Sequence, residues 1–110
     1  MKDKPIQYRT LSRMLDNDHA EIISILKKVS LQLESFSQEF FPNDNSDIEI
    51  NYRETAHKIK SSASLVGAEK LSDLCKKLEI TEESDQDAIN NQVSTIIEEI
   101  NSIKKYVDTL

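Results

Sequence analysis

Glycine occurs once, proline twice, cysteine once and tryptophan never among the 110 residues, and each scarcity narrows what the chain can be. One glycine, Gly67, cannot build a glycine-rich loop that cradles phosphates, so nucleotide binding and kinase machinery are not expected. The lone Cys75 has no partner for an internal disulfide and no second thiol for a zinc site, which agrees with a reducing, cytoplasmic setting. No apolar run approaches bilayer length, and the opening Met1-Lys2-Asp3-Lys4-Pro5 lacks the apolar core of a secretion signal, so no membrane segment is expected. A basic stripe is also missing. With a net charge of −6, nucleic acid and anionic membrane are poor partners for this surface.

What remains is helix-forming sequence. Hydrophobic residues make up 37% of the chain and charged residues 31%, a balance that supports one folded domain over 1–110. From Asp18 to Phe41 the residues Ile22, Ile25, Leu26, Val29, Leu33, Phe36 and Phe40 recur at helical spacing and mark a core face. Asp18 followed by Glu21 has the spacing of a capping box and sets the start. After Pro42, the run Asn43-Asp44-Asn45-Ser46-Asp47 reads as a loop. Ser46 with Glu49 begins a second helix, on which Ile48, Tyr52, Ala56, Ile59, Ala63 and Val66 share about 80° of arc.

Gly67 suits the position just past a helix end. Beyond it, Leu71, Leu74, Cys75 and Leu78 make a shorter stripe. Ser84 with Asp87 offers another box-like start for a long last helix carrying Ile89, Val93, Ile96, Ile100, Ile103 and Val107. Tyr8, Leu11, Met14 and Leu15 suggest a short leading helix. The expected fold is all-α: an antiparallel up-down-up-down four-helix bundle with a short additional N-terminal helix. The initiating methionine and tidy ends favour a stand-alone protein, and the chain is expected to be a monomer.

Two histidines are candidates for chemistry. His19 sits at a helix start beside Asp18 and is assigned none. His57 falls roughly 120° from the middle of its core stripe, so its imidazole is expected to face solvent. Arg53, Lys60, Ser61 and Ser64 lie within about 60° of it, one turn before and one or two turns after. They form a local basic, small-residue patch on an otherwise acidic protein. A solvated imidazole of pKa about 6.5 is mostly unprotonated near pH 7 and is then a good nucleophile, while an ammonium nearby favours growing negative charge.

Other residues read as packing or solvated surface. Cys75 lies on an apolar stripe with no cation or histidine at helical spacing, and Phe36, Phe40 and Tyr52 sit on core stripes. The acidic pairs Glu82-Glu83 and Glu98-Glu99 lack a Glu-x-x-His partner and read as solvated, so no metal or other cofactor of the chain's own is expected. Leu31 and Leu65 fall off their stripes. Leu65, about 80° from His57, is a candidate docking residue.

The run Ala56-His57-Lys58-Ile59-Lys60-Ser61-Ser62-Ala63-Ser64-Leu65-Val66-Gly67-Ala68-Glu69-Lys70-Leu71, continuing to Cys75 and Leu78-Glu79, resembles the signature of histidine-containing phosphotransfer domains. That pattern has a histidine, an aliphatic residue two on, a lysine three on, small residues, an apolar-Gly-small unit and Cys-x-x-Leu-Glu. The resemblance implies a phosphocarrier rather than an enzyme. His57 would be the phosphoacceptor and Lys60 the assisting charge, with Arg53, Ser61, Ser64 and Leu65 meeting the partner. The implied partners are the receiver domains of a hybrid sensor kinase and of a response regulator, with Mg2+ in the receiver. The family has glycine four residues after the histidine, where this chain has Ser61. The competing class is an adaptor bundle that binds a signalling partner through the same face without phosphorylation.

Overall fold

The computed structural model describes residues 18–40 and 52–110. Within them four helices follow one another: α1 (His19–Gln38), α2 (Tyr52–Leu65), α3 (Glu69–Glu79) and α4 (Gln86–Asp108), and no strand occurs among the described residues. The expected leading helix around Tyr8 to Leu15 and the Ser46–Glu49 box lie outside the described residues. Helix α1 packs on α2 and α4, and α3 packs on α2 and α4. The four therefore surround one core.

Helix starts follow local hydrogen bonding. The Asp18 carboxylate accepts the Glu21 N–H at 3.2 Å, as the capping-box spacing requires. The start of α4 differs from expectation by one residue: Asp85, not Ser84, is the cap, accepting the Ala88 N–H at 3.2 Å. Both residues are good caps, but Asp85 adds a negative charge at the positive end of the helix dipole. Helix α2 ends at a glycine turn. Gly67 has φ 73°, the Ala68 N–H donates to the Ala63 carbonyl at 2.8 Å, and the Gly67 N–H donates to Ser64 at 3.3 Å. This is the paired 6→1 and 5→2 bonding that a left-handed residue permits, and it reverses the chain in one step.

Every stripe found by periodicity within the described residues faces the core. Ile22, Leu26, Val29, Leu33 and Phe40 are buried with Ala56, Ile59, Ala63, Val66, Leu71, Cys75 and Leu78, and with the six apolar positions of α4. Ile25, Phe36, Tyr52 and Leu74 pack at its margin. Leu31 and Leu65 are exposed. One expectation fails: Glu99, read as solvated, is buried, with Lys70 Nζ 3.5 Å from its carboxylate. Glu99 precedes Ile100 and lies one turn from Ile96 and Ile103, so it falls at the edge of the apolar stripe where α3 covers it.

Candidate functional site

Helix α2 presents one face to the core and the other to water, and α3 packs beside it, with small residues where they meet at Ser64 and Ser72. Ala56, Ala63 and Ala68 are fully buried, and Ser64 Oγ meets Ser72 Oγ at 3.2 Å. Contacts between the two helices run in register, Ser64 with Ser72 and Lys60 with Glu79, and Arg53 continues the series onto Thr81 just past the end of α3. The pairing fixes which α3 residue stands beside each turn of α2.

His57 is on the wet face, with its side chain 66% exposed. Its Nδ1 faces Glu79 Oε1 at 3.7 Å, beyond hydrogen-bond length but close enough for direct electrostatic attraction once the nitrogen carries positive charge. Lys60 Nζ lies 3.0 Å from that same Oε1 and donates a hydrogen bond to Oε2 at 3.1 Å. Oε1 itself is shielded from solvent and receives no hydrogen bond among the described residues. An acceptor in that state gains from any donor that turns towards it. Imidazole and ammonium thus share one carboxylate.

Of the residues that the sequence groups around His57, Lys60 shares its carboxylate partner and Ser61 bonds to its carbonyl, while the others are engaged elsewhere or stand exposed. Lys60, expected on an exposed face, is only 22% exposed and closed onto Glu79, itself 24% exposed. Both belong to the seam, because a helix position 100° off the core stripe meets the neighbouring helix rather than water. Arg53 reaches across to the α3–α4 connection, donating from Nη2 to the Thr81 carbonyl at 3.1 Å, with Nη1 3.6 Å from Glu83. The Tyr52 hydroxyl donates to the same carbonyl at 2.7 Å. Ser61 is exposed, and its hydroxyl is turned back to the His57 carbonyl at 3.0 Å. Ser64 is occupied by Ser72, whereas Leu65 is exposed and free of the core.

Sequence reasoning placed Glu79 in the family motif but gave it no task. Its position becomes legible only when α3 folds back after Gly67. Ile80, next along and highly exposed, was also passed over. Cys75 is buried beneath this site. Burial pushes its thiol up to about 12, the Glu79 carboxylate adding to the rise and Lys60 opposing it, so it is no nucleophile at neutral pH. His19 is the exposed first residue of α1. The described residues hold no group of three or more His, Cys, Asp or Glu side chains arranged to bind a metal ion.

The site thus consists of a solvent-facing histidine on α2 with a carboxylate from the next helix 3.7 Å from its Nδ1. The family model for the Hpt domain matches residues 20–105. The chain belongs to the Hpt domain family. Its members are phosphocarriers of two-component phosphorelays, working by histidine phosphotransfer with receiver domains rather than as enzymes. The match takes in all of α2 and α3 and most of α1 and α4. No curated protein and no solved structure matches the chain. No helix among the described residues is long and apolar enough to cross a membrane.

Proposed function

We propose that His57 is the phosphoacceptor and that this Hpt domain carries a phosphoryl group on it between receiver-domain aspartates. The observation that supports this most directly is the exposed imidazole whose Nδ1 is turned to Glu79 Oε1. With the proton on Nδ1 drawn towards that oxygen, the Nε2 lone pair is directed outwards. Nε2 attacks phosphorus of the receiver's aspartyl phosphate. The P–O bond to the aspartate breaks, and its electron pair stays on the departing carboxylate. The imidazole keeps its Nδ1 proton and becomes a phosphorylated cation, which Glu79 at 3.7 Å stabilises. The reverse sequence delivers the group to the next receiver.

Lys60 acts from behind the ring. Its ammonium holds Glu79 in place and adds positive potential beside the growing charge on the phosphoryl oxygens. Arg53, Ser61, Ser64 and Leu65 border the approach of the partner. We read the Mg2+ and acidic pocket that such transfer uses as the receiver's own. We read the four helices as running up, down, up, down, the domain as a cytoplasmic monomer, and its partners as the receivers of a hybrid sensor kinase and a response regulator.

Incubation with a phosphorylated receiver domain tests the reading against a non-phosphorylated adaptor. Wild type should acquire acid-labile label, and His57→Gln should acquire none with an unchanged circular dichroism spectrum. Label that persists in His57→Gln would falsify the assignment. Glu79→Gln should keep the fold and slow the transfer, because a neutral amide attracts the ring cation less.

A further inference from the structure

Two cations lie within one turn of His57 on its side of α2, and they are held very differently. Lys60 is closed onto a carboxylate that is itself three-quarters covered, with both oxygens within 3.1 Å of the ammonium. Moving it to a new anion would strand Glu79 in the seam without a counter-charge, which opposes the move. Arg53 has no such tie. Its side chain is 46% exposed, and its charge partner Glu83 is 78% exposed and 3.6 Å away. Exposed pairs of this kind contribute little and exchange readily.

Position favours Arg53 as well. It stands one turn before His57 on the same face of α2, and the Thr81 carbonyl that anchors it comes two residues after Glu79, the carboxylate that faces the imidazole. Its anchor suits the task. Nη2 is held by the Thr81 carbonyl at 3.1 Å, which fixes one edge of a planar fork whose remaining N–H groups can be offered elsewhere. The guanidinium also rests over the Tyr52 ring, 5.4 Å from its centre, and Tyr52 is bound to the same carbonyl. A fork held at one edge loses little freedom on binding an anion.

We infer that Arg53 is the residue that directly binds the phosphoryl group on His57, leaving Glu83 for the phosphoryl oxygens while Lys60 stays on Glu79. This rests on the reading of His57 as phosphoacceptor and assigns a site within it. Glu83 then acts as a competitor, occupying the guanidinium when the histidine is empty.

Phosphoramidate, a small phosphoryl donor, tests the inference without a partner protein. The readouts are the equilibrium extent of phosphohistidine at fixed ammonia by 31P NMR and the guanidinium resonances of Arg53 before and after labelling. In Arg53→Gln the equilibrium constant for uptake should fall about tenfold, as expected for loss of a charge-assisted hydrogen bond. Arg53→Lys should lie between that variant and wild type, and Glu83→Gln should shift the constant in the opposite direction by removing the competitor. The Arg53 resonances should move on labelling of wild type. Uptake by Arg53→Gln equal to wild type, or Glu83→Gln changing in the same direction as Arg53→Gln, overturns the clamp and leaves His57 standing. Wild type that takes no label on His57 overturns both.

Discussion

The α2–α3 half of the bundle and the α1–α4 half bury different mixtures of side chains, and the site lies in the half that buries the alanines. Along α2 and α3 the buried set adds Ala56, Ala63, Ala68, Ser62 and Ser72 to Ile59, Val66, Leu71 and Leu78, and two serine hydroxyls meet across the helices at 3.2 Å. Glu79 can then reach both Lys60 and His57. Along α1 and α4 the buried positions are Ile22, Leu26, Leu33, Ile96, Ile100 and Ile103, and Glu34 with Lys104 spans the boundary from part-exposed positions. One half positions polar groups to within ångströms. The other supplies most of the large apolar surface that keeps the first half rigid.

The contrast implies that the two halves fail in opposite ways. Ala63 is fully buried in the core, and Ala63→Glu should cost on the order of 4 kcal/mol or more, because neither the volume nor the charge has a place. Thermal melting checks it, and a wild-type midpoint would mean that Ala63 does not face the core. In the bulky half truncation should be the damaging change. Leu33→Ala removes a fully buried side chain and should cost about 3 kcal/mol by urea titration. If Leu33→Ala also stops phosphoryl transfer under conditions where it remains folded, the division between scaffold and site is wrong.

Smaller effects sharpen the same division. Lys60→Ala should slow transfer from a phosphorylated receiver about tenfold and cost about 1 kcal/mol, since it leaves Glu79 without its counter-charge. Combining it with Glu79→Gln should recover the stability but not the rate, and rate recovery would count against an electrostatic role. At the far end of the scale is Leu31, exposed on α1. Leu31→Gln should change stability by less than about 0.5 kcal/mol and leave transfer as it is. A clear loss of transfer would extend the partner's footprint onto the scaffold half.

Much of this was legible in the order of residues because helical periodicity is local. The stripes on α1, α2, α3 and α4, the Asp18 cap and the Gly67 reversal each depend on neighbours three to five residues apart. The outward direction of His57 follows from the same geometry, since a residue opposite a core stripe has nowhere else to go. Where local rules offered near-equal choices they misjudged: Ser84 and Asp85 both cap well, and the charge on Asp85 decided it. Glu99 was misread because a charged residue at a stripe's edge is exposed or covered according to the neighbouring helix.

By itself, then, the sequence determined the helices, their apolar faces, the reversal at Gly67 and the histidine left in water. Only the tertiary structure decided what stands beside that histidine. Glu79 lies 22 positions further along the chain, and it comes within 3.7 Å of the imidazole only because α3 turns back beside α2, where Ser64 meets Ser72. The same packing turned Lys60 from a solvent-facing charge into a seam ion pair and tied Arg53 to Thr81. Backbone hydrogen bonds reach one turn, so a single strand of sequence can specify a face; which charges share that face depends on how closely two helices approach, and side-chain volume sets that distance.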